Sequence, residues 1–166
     1  MARLHEIRDF DTTNTYWGPA VSLFFNHCPH KCKGCWNPET HELDTNLEIP
    51  NDKVISSVIE YLDKYGIHKD LTLLGGDPLS PFNTDDVFEI ISKIKELRPK
   101  TRIVCWTGYT WERCKENKNI PMIDILIDGQ FIQKLLVSGK KYGSSNQRII
   151  DVKSSLENNS LVILNE

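Results

Sequence analysis

The sequence predicts an α/β fold, an open and partial (β/α) barrel around a mostly parallel sheet. Three observations lead there. Short apolar, β-branched runs alternate with amphipathic helical stripes over most of the chain. The connections between runs are long enough for helical crossovers, which parallel neighbours need and hairpins do not. Short turns rich in glycine and aspartate follow the runs, at the strand ends where ligands collect in such sheets. Four or five units of this kind are too few to close an eight-stranded barrel.

The elements follow in order. Residues 1–19 read as a polar lead-in, with loop signals at Asp11 to Asn14 and at Gly18-Pro19. Ala20 to Asn26 (AVSLFFN) is a buried strand. Asn51 to Tyr65 carries the stripe Val54, Ile55, Val58, Ile59, Leu62, with Asn51 as the cap and Gly66 as the stop. Leu71 to Leu74 is a second strand, ending in Gly75-Gly76-Asp77-Pro78. Thr84 is expected to cap a helix with the stripe Val87, Ile90, Ile91, Ile94, Leu97, closed by Pro99. Arg102 to Trp106 and Ile123 to Ile127 are further strands, separated by a short helix from Thr110 to about Asn117. After Asp128-Gly129-Gln130 the rhythm is lost. GKKYGSSNQR (139–148) reads as loop, its Lys140-Lys141 pair as solvated, and Leu161 to Leu164 as a possible last strand.

The 166 residues suit one domain, with a core of about 18–152 and a tail of 153–166. A formal net charge of −3 offers no basic field for nucleic acid or an anionic membrane. No apolar run approaches a membrane span, and MARLHEIRDF lacks the apolar stretch of a signal peptide. Five cysteines, an odd number with three clustered, suit a reducing compartment, so the expected location is the cytoplasm.

Those three lie in Asn26 to Asn37, NHCPHKCKGCWN, directly after the first predicted strand. Cys28, Cys32 and Cys35 fall within eight residues. A disulfide would use two thiols and strand the third, so a shared metal is the better reading. Structural zinc takes four protein ligands and an ordinary four-iron cluster four thiolates. Here the fourth local thiolate is missing, which leaves one corner open for chemistry. An open iron corner of a [4Fe–4S] cluster suits S-adenosylmethionine, whose amino and carboxylate groups can chelate it. Competing readings are a zinc-binding interaction module completed by His27, His30 or His41, and a ferredoxin-like carrier, which would want a fourth cysteine. Cys105 and Cys114 read as buried structural residues.

The spacing Cys28-x3-Cys32-x2-Cys35 followed by Trp36 resembles the signature of the radical S-adenosylmethionine superfamily. GGDPL at 75–79, CWTGYT at 105–110, DILIDGQF at 124–131 and GSSNQR at 143–148 narrow the resemblance to the activases of anaerobic ribonucleoside-triphosphate reductase. NHCPHKC, with Asn26-His27 before the first cysteine, is also similar to the formate-lyase activases of the same superfamily. The resemblance implies a radical S-adenosylmethionine barrel and reductive cleavage of the cofactor. It also implies hydrogen abstraction from a glycine Cα of the large reductase subunit, fed by a low-potential donor such as a flavodoxin. Residue by residue, it implies that Cys28, Cys32 and Cys35 hold the cluster and that Gly34, Cys35 and Trp36 contact the cofactor, with Trp36 near the adenine. It places the methionine end near Gly75 and Gly76, with Asp77 helping to hold its amino group. Gly108 and Asp128-Gly129 are weaker candidates for the rim of the site, and Trp106 reads as a hydrophobic anchor.

Overall fold

The computed structural model describes residues 1–138 and 142–165, so Lys140 and Lys141 lie outside the described residues. Eight strands among these form one sheet: β1 (Ala2–Asp11), β2 (Ala20–Phe25), β3 (Glu48–Ile49), β4 (Asp70–Gly75), β5 (Ile103–Trp106), β6 (Ile125–Asp128), β7 (Arg148–Asp151) and β8 (Ile163–Leu164). The spatial order is β3-β1-β2-β4-β5-β6-β7-β8. Strands β2, β4, β5 and β6 run parallel, as expected. The flanks do not: β1 is antiparallel to both β2 and β3, and β7 is antiparallel to both β6 and β8.

The sheet is therefore mixed, which corrects the mostly parallel expectation. Two further corrections explain why. The polar lead-in contains the ten-residue strand β1, whose Ala2 and Leu4 are buried while Glu6 and its neighbours are not. A strand with one buried end and a charged remainder has no clean period-two signal to read. Strand β7 starts at the last residue of the loop-like stretch and runs through residues given no element, returning beside β6 and pairing Asp128 with Arg148.

Strands β2, β4, β5 and β6 are apolar because both of their faces are covered. On one face Val21, Leu23, Phe25, Leu71, Leu73 and Ile103 join the main core. Helices α1 (Asn51–Asp63) and α2 (Thr84–Leu97) cover that face with Val54, Val58, Leu62, Val87, Ile90, Ile91 and Ile94. These are the predicted stripes with little change. The opposite face carries a smaller cluster of Val104, Ile125, Ile127, Tyr142 and Ile149, with Trp106 packed against it.

The caps differ from expectation. Pro50 precedes α1, and Asn51 is its first helical residue, donating its side-chain amide to Asp86 and Glu89 of α2. Asn83, not Thr84, precedes α2. Its side-chain amide donates to the carbonyls of Asn26 and Asp77 at 2.8 and 2.9 Å, which ties the helix start to the base of the cysteine loop. The shorter helix α3 (Trp111–Cys114) follows β5, and α4 (Val152–Glu157) links β7 to β8.

Candidate iron–sulfur and cofactor site

The cysteine loop leaves the C-terminal end of β2, the first parallel strand. Fully buried Asn26 closes its base. Its backbone N–H donates to Arg3, its side-chain amide to the Glu42 carbonyl at 2.9 Å, and its side-chain oxygen accepts from the Asp44 N–H at 2.8 Å. The far end of the loop is thus pinned to its start. Three loop residues adopt left-handed backbone: His27, Lys31 and Gly34, with φ of 73°, 47° and 74°. For His27 and Lys31 that conformation costs on the order of 1 kcal/mol each, so the surrounding contacts impose it.

The bends turn Cys28, Cys32 and Cys35 toward one cavity of about 510 Å³, which also receives Gly75, Gly76 and Trp106. All three thiols are free and partly buried. Burial pushes the Cys28 thiol up to about 11, with the backbone N–H groups of His30 and Lys31 acting in the opposite direction. Burial raises the Cys32 thiol as well, opposed by the Phe131 N–H. The Asn37 N–H donates to the Cys35 sulfur at 3.4 Å. Backbone donors aimed at sulfur are among the features that set an iron–sulfur potential. Among the described residues, no three histidine, cysteine or acidic side chains converge as they would around one ion. A four-iron cluster does not ask for that convergence, because each thiolate ligates a different iron. Cys105 and Cys114 are buried and belong to the main core, so neither supplies a fourth ligand. A set of three thiolates facing a cavity is what a cluster with one exchangeable corner requires.

The neighbouring strand ends complete the cavity. Gly75, with φ of 97°, ends β4. A Cβ there would stand 2.8 Å from the Phe24 Cα, and one on Gly76 would stand 2.4 Å from the His27 carbonyl oxygen. The glycine pair is therefore required by close approach of the β2 end, besides facing the cavity. Gly108 and Gly129 line the cavity too, and Trp36 stands at its mouth, 73% exposed, with its ring 6.4 Å from that of Phe131. Gly34 lies against the side chain of Gln133.

Asp77 is placed differently from expectation. It is 1% exposed and is not part of the cavity wall. Its carboxyl group accepts from the Leu79 N–H, the Gly108 N–H, the Thr107 hydroxyl and His30. Its oxygens are engaged by this chain, and it organises the loops beneath the site. Asp128 behaves alike: 1% exposed, it accepts from the Trp111 N–H and from Arg148. Arg148 also pairs with Glu112, pulling that carboxyl down to about 2.

Several site residues escaped the sequence reading. Arg8 of β1 and Thr13 and Asn14 of the following turn line the cavity, as do Phe24 and Leu74. The alternation of β2 could have shown Phe24 on the helix-free face, but nothing local marks Arg8. Trp106 lines the cavity as well as anchoring the smaller cluster, and its indole N–H is buried without a hydrogen-bond partner among the described residues. The GSSNQR segment is a brace. The Ser144 hydroxyl accepts from the Ile132 N–H, the Asn146 amide donates to the Gln130 carbonyl, and the Gln147 amide donates to the Gly129 carbonyl. It thereby holds the 129–132 loop, including Phe131, beside Cys32.

This combination of an α/β sheet and a three-thiolate cavity defines an iron–sulfur protein, and residues 17–150 match the family model for a 4Fe-4S single cluster domain. More specifically, the chain belongs to the family of anaerobic ribonucleoside-triphosphate reductase-activating proteins. It is 33% identical to the protein of that name from Vibrio cholerae over 150 residues, covering 87% of this chain and 95% of the relative. The corresponding protein of Enterobacteria phage T4 is 35% identical over 132 residues, covering 80% and 83%. That of Escherichia coli is 30% identical over 136 residues, covering 78% and 86%. No helix among the described residues is long and apolar enough to cross a membrane.

Proposed function

We propose that this chain is a radical S-adenosylmethionine activase that places a glycyl radical on the large subunit of an anaerobic ribonucleotide reductase. The observation that carries the reading is the set of three cysteines on one cavity with no fourth thiolate beside them. A [4Fe–4S] cluster and S-adenosylmethionine, when bound, supply reductive cleavage chemistry strong enough to remove a hydrogen atom from a glycine Cα. The rest falls to the chain. Cys28, Cys32 and Cys35 hold the cluster. Gly75 and Gly76 offer bare backbone to the methionine end, Trp36 and Phe131 border the adenosine side, and Gly34 shapes the loop before Cys35. Phe24, Leu74 and Trp106 give the cavity a dry wall, which favours radical chemistry by keeping water from the reacting centre.

The parallel strands β2, β4, β5 and β6, with the cysteine loop at the first strand end and the cavity on the helix-free face, support an open partial barrel of the radical S-adenosylmethionine type. A partner polypeptide would close its open side. A flavodoxin-like donor and a cytoplasmic setting complete the proposal.

The test is direct. Anaerobically reconstituted protein, reduced and mixed with S-adenosylmethionine and the large reductase subunit, is expected to give a glycyl doublet by electron paramagnetic resonance. A doublet appearing only when formate lyase replaces the reductase would move the assignment to that activase group. A colourless protein holding zinc and no acid-labile sulfide would end the radical reading.

A further inference from the structure

His30 sits midway between Cys28 and Cys32, yet its side chain is turned away from solvent, 8% exposed. Its imidazole makes contacts to three separate strand ends. Nε2 lies 2.8 Å from the Asp77 Oδ2, in the turn after β4. The ring packs on Gly108 after β5, where even a Cβ would come within 2.3 Å of it, and meets the Tyr109 ring edge-on at 4.5 Å. Nδ1 lies 3.2 Å from the Gln130 amide nitrogen, after β6. An amide N–H can only donate, so Nδ1 accepts and Nε2 carries the proton directed at Asp77. Asp77 is in turn held by the Thr107 hydroxyl and the Gly108 N–H at 2.9 and 3.0 Å. The same imidazole forms part of the wall between the cysteine cavity and a second cavity of about 680 Å³, bordered by Tyr109, Gln130 and Arg148.

We propose that His30 is a positioning residue: through Asp77 it locks the Cys28–Cys32 segment against the Gly75-Gly76 turn and so sets where the cluster's open corner stands relative to the bound cofactor. His30 contacts residues after β4, β5 and β6 at once. The backbone agrees with this role. The Asp77 N–H donates to the His27 carbonyl at 2.9 Å, so loop and turn are joined at His27 as well as at His30. Without the imidazole the three thiols would remain, but the span between the first two would be free to shift against the glycine pair.

The inference rests on reading Cys28, Cys32 and Cys35 as cluster ligands, and its test needs no partner protein. Wild-type, His30→Ala, His30→Gln and Gly108→Ala proteins are reconstituted, and iron, S-adenosylmethionine affinity and the spectrum of the reduced cluster are measured per cluster loaded. His30→Ala is expected to keep its iron but to bind S-adenosylmethionine about tenfold more weakly, the size typical of losing a group that orients a ligand. The spectral change that the cofactor causes in wild-type protein should shrink in parallel. His30→Gln retains an N–H for Asp77 and should recover part of both. Gly108→Ala keeps the histidine but displaces its ring, and should fall toward His30→Ala. If His30 only stabilised the fold, melting temperature and iron content would drop while the affinity of the loaded fraction stayed at the wild-type value, and that result overturns the proposal. Wild-type protein that assembles no cluster would instead sink the reading of the cysteines on which it rests.

Discussion

Replacing Cys28, Cys32 or Cys35 by alanine is expected to reduce S-adenosylmethionine cleavage to background in each case. Among the described residues, Cys28, Cys32 and Cys35 are the cysteines that line the cavity, and the two others are committed to the main core. A cluster that already leaves one corner to an exchangeable ligand has no spare protein ligand to lose. The fold should survive, because each cysteine is only partly buried in a loop whose base is held by Asn26. Substitutions away from core and caps shift stability by roughly 0.5 kcal/mol or less. Iron content, the brown absorbance of the reconstituted protein and methionine released under dithionite provide the measurement. Cys105→Ala is the informative contrast, since it should lower stability and leave the iron in place. Retention of full cleavage by all three loop variants would remove the cluster assignment.

Gly76→Ala is expected to lower both stability and iron uptake. The new Cβ would stand 2.4 Å from the His27 carbonyl oxygen and 3.0 Å from that of Phe25. Neither oxygen can move freely, since the Gly76 N–H donates to Phe25 at 2.7 Å and the Asp77 N–H to His27 at 2.9 Å. Overpacking of this kind costs about 1–3 kcal/mol, and each kcal/mol lowers the melting temperature of a domain this size by about 2–4 °C. The strain falls on the backbone that launches the cysteine loop, so iron uptake should fall along with stability. Gly18→Ala, where nothing lies within 4 Å of the added methyl group, serves as the neutral control. Equal melting curves for the two variants would show that the β2 end yields more easily than its hydrogen bonds imply.

The two glycines also show why local pattern misleads about roles. A Gly-Gly-Asp turn after a strand looks like an open cradle with a carboxylate ready for a cation. In the fold the glycines are needed first by the neighbouring strand, and the carboxyl group is consumed by His30, Thr107 and Gly108. The stripes of α1 and α2 were legible because each helix buries one face and exposes the other. Strands β2, β4, β5 and β6 were legible because burial on both faces makes them continuously apolar. Strand β1 was not, since charged residues occupy half of its length. Nor was strand direction at the flanks, because an apolar run looks the same whichever way it is paired. The brace formed by Ser144, Asn146, Gln147 and Arg148 stood out as a motif, but its targets lie on a loop that no spacing rule connects to it.

What the sequence determined alone is the set of candidate ligands. Three thiolates with three and two residues between them are close by covalent connection, whatever the rest of the chain does. That count leaves a metal corner open and names the chemistry. What only the tertiary structure decided is how the corner is aimed. His30 meets Asp77 across 47 positions and Gln130 across 100, and Asp77 meets Thr107 across 30. Contacts of that range carry no local signature, because the partners are far apart along the chain and meet only through the fold. The chemistry is written in neighbouring residues, and its alignment is set by distant ones.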